Sequence, residues 1–344
     1  MLPSKLILVT GTNGKTTTTK IISHILQNNN YRVISNKSGA NLLNGIISSL
    51  LLGTNILGRL NRDVAVLEVD ELFFPYFLDL LGKHRTSSLD VTALLMNVSR
   101  DQLDRYFEPD IVLNKWKAGL KKFSFPTKIV LDKSQEYFKP FFVDDTLDTY
   151  GFDSSYTALD KTSLSGEFNA KNLNAALIAV ELMGISEEVS ISALSDFKLA
   201  YGRGEEINYA QNIYKIYLAK NPASFNNNLK MFMSQKIHID SLLFILNDNI
   251  PDGKDVSWIY DIDPVLLKKV CHSKDIYVSG TRYLEMALRL DYAGVTLGKD
   301  NINRSIKESL KKINKCMKDK TIVCYPNYSS MLELRKLLVG RSIL

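Results

Sequence analysis

The segment Val9-Thr10-Gly11-Thr12-Asn13-Gly14-Lys15-Thr16-Thr17 gathers the residue types that hold a triphosphate. Glycines at Gly11 and Gly14 let backbone N–H groups come close to phosphate oxygens and tolerate positive φ. Lys15 has the reach for the β and γ phosphates, and the Thr16 hydroxyl can hold Mg2+, the parts that Lys and Ser or Thr play in phosphate loops. Gly11, Thr12, Asn13, Gly14, Lys15, Thr16 and Thr17 are therefore the expected ATP-binding residues. Their glycine spacing is shorter than in the common GxxxxGK[ST] form. The alternative is a tight turn with a surface lysine. Against it, the apolar run Lys5 to Thr10 before the loop reads as a strand, and Thr16 to Gln27 after it has helical periodicity.

Two acidic groups follow later strand-like runs: Leu67-Glu68-Val69-Asp70-Glu71, and Asn97-Val98-Ser99-Arg100-Asp101-Gln102-Leu103-Asp104-Arg105. Carboxylates at the C-terminal ends of parallel strands face the crevice where α/β folds bind ligands. Acidic residues at such turns are equally common as helix caps. Beside a phosphate loop both groups become metal candidates.

These residues need a frame. Strand-like runs at 32–35, 64–69, 92–98 and 128–131 alternate with apolar helical stretches around 42–52, 72–81 and 111–120. Such alternation predicts an α/β fold, a parallel sheet covered on both faces. An Ala- and Leu-rich helix is expected over 168–183, after a polar connection. Gly202-Arg203-Gly204 breaks the pattern, so the first domain is placed at 1–204 and a smaller α/β domain at 205–344. Strands there are expected at 213–218, 241–246, 276–278 and 321–324, with helices at 225–233, 282–290 and 328–338. The Lys-rich stretch 304–320 carries apolar residues at helical spacing and reads as a solvated helix face.

Composition bounds the function. The chain has 344 residues, 45% hydrophobic and 23% charged, as a folding globular chain does, with 43 Lys and Arg against 37 Asp and Glu for a net charge of +6. No basic run is long enough for a nucleic-acid arm, so no nucleic acid is expected as partner. No transmembrane segment is expected either, because no stretch approaches the ~18–20 apolar residues of a span. Cys271, Cys316 and Cys324 are odd in number and widely separated, which fits a cytoplasmic protein and no disulfide framework. Cys271 precedes His272, but adjacent side chains do not face one another, and no histidine pair has metal spacing.

The motif GTNGKTT resembles the Mur ligase and folylpolyglutamate synthase superfamily, whose members join carboxylates to amines through acyl phosphates. Within it, Glu68 matches the glutamate that binds Mg2+, and Asn97 to Arg105 matches an N-x-x-x-D-H-L-D stretch except for Gln102 in the histidine's place. That form, NxxRDQLDRY, is similar to the MurT subunits. Asn36 to Asn41, Gly166-Glu167-Phe168-Asn169 with Asn172, and Gly202-Arg203 lie where the family has its substrate loop, a hinge-proximal helix and a nucleotide-contacting arginine. Lys220 to Asn226, Asn247 to Trp258, Gly280 to Tyr283 and Asn327 to Arg335 extend the likeness almost to the C-terminus.

The resemblance implies a Mur-ligase central domain and a MurT-type C-terminal domain. It implies ATP and Mg2+ as cofactors, Thr16 and Glu68 as metal ligands, and Asn169 and Arg203 at the nucleotide, with Lys15 and Glu68 catalytic. The implied reaction is amidation of the D-glutamate α-carboxylate of a lipid-linked peptidoglycan stem. Lipid II would be the substrate, met at the inner membrane surface, and a GatD-type glutaminase subunit would supply ammonia. An aspartate would complete that partner's triad, Asp255 first, with Asp252 and Asp261 as alternates; Asp255 could equally cap the turn holding Trp258. The zinc ribbon usual in MurT is not expected, because Gly151 to Gly166 is short and holds no cysteine. Two other readings stay open: a ligase that adds an amino acid, and a nucleotide-binding scaffold without chemistry.

Overall fold

Six short runs in the first 152 residues pair side by side, the four inner ones because their side chains are largely apolar on both faces. In the computed structural model they are β1 (Lys5–Thr10), β2 (Val33–Ser35), β3 (Val64–Glu68), β4 (Asp90–Leu95), β5 (Thr127–Asp132) and β6 (Asp148–Phe152), ordered β2-β3-β1-β4-β5-β6 and parallel throughout. The structure describes residues 3–36, 41–55, 60–84, 89–98, 109–155, 158–162, 164, 166–197, 202–235 and 238–340. These form two compact units, one drawn from residues up to 199 and one from residue 200 onward.

Alternation along β1 shows how the first sheet is covered. Leu6 and Leu8 join a core with Phe74, Leu78 and Trp116, which belong to α3 (Phe73–His84) and α4 (Pro109–Lys122). Ile7 and Val9 point the other way, into a core with Ile21 and Ile25 of α1 (Lys15–Asn28), Leu173 and Ala176 of α5 (Glu167–Glu181), and Leu194 just beyond α6 (Glu187–Ala193). On the sheet's β2 edge lies α2 (Leu43–Leu52), of which only Ile46 is buried. The strand expected over 92–98 stops at Leu95. Its last ladder bond runs from Met96 N–H to the Thr10 carbonyl, and Asn97 then turns to serve the phosphate loop. The polar connection expected before the Ala-rich helix contains β6, whose sequence DTYGF lacks an apolar run and takes strand form by pairing with β5.

The second unit has a five-stranded sheet, β10-β9-β11-β8-β7, made of β7 (Arg203–Tyr209), β8 (Asn212–Tyr217), β9 (Ser241–Ile245), β10 (Asp275–Ser279) and β11 (Thr321–Pro326). All neighbours are parallel except β7, which folds back antiparallel on β8. The sequence reading treats 202–206 as an interruption, whereas Arg203 opens this strand. Its polar run RGEEINY suits an edge. Helices α7 (Pro222–Gln235), α8 (Pro264–Cys271), α9 (Tyr283–Tyr292), α10 (Ile306–Cys316) and α11 (Tyr328–Val339) complete the unit. As expected, α10 buries Ile306, Leu310 and Ile313 and leaves Lys311 and Lys315 exposed.

The β7–β8 hairpin turns at Ala210 and Gln211, with φ of 50° and 65°. Two-residue hairpin turns with both central φ positive favour Asn-Gly, because a Cβ crowds the backbone there. Gln211→Gly is expected to stabilise the chain by about 0.5–1 kcal/mol. The check is a higher denaturation midpoint at unchanged slope in urea; an unchanged or lower midpoint contradicts it.

Candidate active site

Strand order places the site. The chain leaves β1 to build β2 and β3 on one side, then returns to add β4 on the other, so the C-terminal ends of β3, β1 and β4 flank the crevice where such sheets bind ligands. Three segments meet there: the loop after β1, Glu68 to Glu71 after β3, and Met96-Asn97 after β4.

The loop is held mainly by Asn97. Thr12 N–H donates to the Asn97 carbonyl at 2.9 Å, Asn13 N–H donates to Asn97 Oδ1 at 2.9 Å, and Asn97 Nδ2 donates to the Asn13 carbonyl at 2.9 Å. One carboxamide thus satisfies both backbone groups of Asn13. Gly11 has φ +133°, and a Cβ there would lie 2.8 Å from the Asn97 carbonyl oxygen. Gly14 (φ +89°) is the residue before α1, and a Cβ would collide with Oδ1 of Asn172. Asn172, buried on α5, accepts from the Thr18 hydroxyl at 3.5 Å and donates to Asn169 Oδ1 at 3.4 Å, which sets Asn169 in the first turn of α5. Thr12, Asn13 and Thr17 are buried, and Thr16 is half-buried at the second position of α1.

Lys15 is 5% exposed, and its ammonium donates to the Gly11 carbonyl and, at 3.2 Å, to Glu71 Oε2. Glu71 is itself fixed by its backbone: the buried Trp116 indole donates to the Glu71 carbonyl at 2.7 Å. Glu68, in register with Val9, is 4% exposed. Asn36 brackets its backbone, accepting from Glu68 N–H at 2.9 Å and donating to the Glu68 carbonyl at 2.7 Å. Asn41 Nδ2 donates to Glu68 Oε1 at 3.4 Å, while the buried Oε2 has no hydrogen-bond partner among the described residues. A buried carboxylate oxygen with no donor is the environment a hard cation completes, so Glu68 and Thr16 fit Mg2+.

The acids after β3 therefore divide by role. Asp70 caps α3, accepting from Leu72 N–H at 3.1 Å and Phe73 N–H at 3.3 Å. Glu68 keeps one buried oxygen without a donor among the described residues, and Glu71 neutralises Lys15. Sequence reasoning did not foresee the Lys15–Glu71 pair, Asn97's hold on the loop or the Trp116 anchor. The asparagine that opens the second acidic motif was a signal for Asn97. Nothing local marks Trp116. Residues 37–40 and 99–105, with the expected substrate-loop and Asp101 to Arg105 positions, lie outside the described residues.

The second unit carries the remaining expected residues. Arg203 opens β7, and its side chain lies outside the described residues. At the C-terminal ends of β9 and β11, Asn327 accepts from Asn247 N–H at 3.1 Å and donates to the Asn247 carbonyl at 2.6 Å. Asp252 is tied into this network, accepting from Ser329 N–H at 2.9 Å and from its hydroxyl, and burial pushes its pKa up. Asp255 is exposed and caps its turn through Ser257 N–H at 2.8 Å; the Ser257 hydrogen bonds hold its pKa below the usual range. Asp261 is exposed.

Cys271 is buried, and burial pushes its thiol up to about 12, while His272 is exposed. That cysteine is no thiolate at neutral pH. Among the described residues, no group of three or more His, Cys, Asp and Glu side chains is placed to hold a metal, and no helix is long and apolar enough to cross a membrane.

Known proteins share both halves of this arrangement. Residues 9–118 match the Mur ligase middle domain and residues 218–331 the MurT ligase C-terminal region. The lipid II isoglutaminyl synthase (glutamine-hydrolyzing) subunit MurT of Staphylococcus aureus (strain COL) is 27% identical over 397 residues, covering 96% of this chain and 86% of the relative. Its namesake from Streptococcus pneumoniae (strain ATCC BAA-255 / R6) is 25% identical, with 98% and 88% covered. Aligning 397 positions to a 344-residue chain means that the staphylococcal relative has segments with no counterpart here. Among solved structures, MurF from Acinetobacter baumannii superposes with a TM-score of 0.71 at 16% identity, over 98% of this chain and 76% of that one. MurF ligase from Thermotoga maritima in complex with ADP gives 0.69 at 15%, over 99% and 82%. The chain thus has the fold of the Mur ligases, with a match to their middle domain followed in order by a match to the MurT C-terminal region.

Proposed function

We propose that this chain is the ATP-using subunit of a glutamine-dependent ligase that amidates the D-glutamate α-carboxylate of lipid-linked peptidoglycan stem peptide. The observation that carries the reading is Glu68: a buried carboxylate with an oxygen that has no partner among the described residues, one strand away from the phosphate loop. The S. aureus and S. pneumoniae relatives, named as lipid II isoglutaminyl synthase subunits, supply the substrate class.

The chemistry runs in two steps. A substrate carboxylate oxygen attacks the γ-phosphorus of ATP, the bond to the β-phosphate oxygen breaks, and ADP leaves an acyl phosphate. Ammonia then attacks the acyl carbon, phosphate departs, and the nitrogen loses a proton. The main barrier is repulsion between a carboxylate and a triphosphate. Lys15 offsets it after passing from Glu71 to the phosphates, and backbone N–H groups of Gly11 to Thr17 cradle them, with Arg203 as our choice for a further cation at the nucleotide. Thr16 and Glu68 would hold Mg2+, which when bound spreads the charge of the phosphate oxygens. Asn169, in the first turn of α5, is our choice for a further nucleotide contact.

Ammonia is mostly ammonium at neutral pH, and the buried Cys271 is no glutaminase nucleophile, so a GatD-type partner fits as the source. Asp255 is our choice for the acid that orients that partner's histidine, since it is exposed and ionised whereas Asp252 is spent on Ser329. Asp255→Asn retains an oxygen for Ser257 N–H, so the fold should persist. With purified partner, glutamine-dependent amidation is expected to fall at least about 100-fold while ammonium-dependent amidation stays within about twofold. An equal loss with both donors would move the role elsewhere. The reading itself is tested by ADP release with lipid II and ammonium, glutamine plus partner, or a panel of amino acids. An amino acid that outperforms ammonium would make the chain an amino-acid-adding ligase.

A further inference from the structure

The first acidic residue of the chain is Asp63: residues 1–62 carry seven Lys or Arg and no carboxylate, although the whole chain is only +6. Within that stretch lies α2, whose segment Leu42 to Leu52 has no charged residue. Only Ile46 of the helix is buried. Its outer face shows Ile47 and Leu51, one helical turn apart, with Leu52 at 89% exposure beside them.

Surroundings give this face a direction and a charge. At its N-terminal end, Asn41 donates to Glu68, so the helix starts at the candidate active site. Beyond its C-terminal end, Thr54 bridges Leu60, which leads to the exposed Arg62; Arg32, also exposed, donates to Asn61 and pairs with Asp63. The most exposed leucines thus lie near the basic rim. Apolar side chains on a helix without charges, with the exposed Arg62 and the Arg32–Asp63 pair beyond its end, match an interfacial membrane element: leucines enter the headgroup boundary while Arg62 meets anionic lipid.

We propose that α2 with its basic rim docks this chain directly on an anionic bilayer surface, so that the crevice at Glu68 opens beside the membrane. The docking goes beyond the proposed amidation and rests on that reading only for why a lipid surface would be visited.

Co-sedimentation of the full chain with phosphatidylcholine vesicles, with and without about a third phosphatidylglycerol, tests it. Binding to the anionic vesicles is expected to be at least about tenfold stronger than to neutral ones and to weaken in high salt. Leu51→Glu with Leu52→Glu should lower it at least about tenfold, with ADP affinity by calorimetry unchanged as proof of an intact loop. Should the double variant misfold, Leu52→Ser alone is expected to weaken binding severalfold. A wild-type chain that ignores anionic vesicles, or leucine variants that bind them as well as wild type, would overturn the docking, whether or not a protein covers this face instead. Amidation of a soluble stem peptide reports separately: its loss with vesicle binding intact would sink the proposed function and leave the docking standing.

Discussion

Lys15→Met is expected to abolish nucleotide binding and, unlike most changes at a phosphate loop, to weaken the fold as well. Lys15 and Glu71 form an ion pair at 3.2 Å with side chains only 5% and 6% exposed. Removing the ammonium leaves the Glu71 carboxylate buried without its cation, and breaking such a pair costs about 3–5 kcal/mol. We expect the lower end, about 3 kcal/mol, because Glu71 has other interactions as well. Adding Glu71→Gln removes the stranded charge, so Lys15→Met/Glu71→Gln should regain most of the stability but none of the ADP affinity. Urea denaturation and calorimetric titration read the two effects apart. Equal stability of wild type and Lys15→Met, or a double variant no more stable than the single, would show that the pair contributes little in the empty loop.

Gly11→Ala is expected to be nearly as damaging, for a geometric reason. The new methyl would sit 2.8 Å from the carbonyl oxygen and 2.9 Å from the nitrogen of Asn97, main-chain atoms that cannot rotate aside. The φ of +133° adds strain for any residue with a Cβ. Strain and overpacking each cost about 1–3 kcal/mol, so a total near 3 kcal/mol is expected. To relieve the contact the loop must leave β4, which breaks the Thr12–Asn97 bond and disperses the N–H groups meant for phosphate. ADP affinity should fall by at least about 100-fold. A Gly11→Ala chain with wild-type affinity would mean that the loop adapts freely and that Asn97 does not set its shape.

Much of this site was legible in the residues. The loop, its strand and its helix announce themselves because each has a local signature: an apolar run, glycines where the backbone turns, and helical periodicity from Thr16. The acidic group from Glu68 to Glu71 was legible through its place at the end of a strand, and only the family resemblance singled out Glu68 within it. What went unread depends on distance in sequence. Glu71 and Asp70 are adjacent acids of similar composition, yet one neutralises Lys15 from 56 residues away and the other caps α3. Edge strands β6 and β7 were missed for a related reason: an edge strand buries little, so it needs no apolar run, and its partner rather than its composition makes it a strand.

Sequence alone determined that this is an α/β chain with a glycine loop between its first strand and first helix and a second α/β unit, because hydrophobic period and glycine placement are local properties. Tertiary structure decided which buried carboxylate lacks a donor among the described residues, which one the lysine takes, and how Asn97 holds Asn13 through both backbone groups. Those outcomes follow from strand order: placing β1 between β3 and β4 brings together three segments that the chain keeps far apart, and only burial there makes a missing hydrogen bond or an unpaired charge expensive.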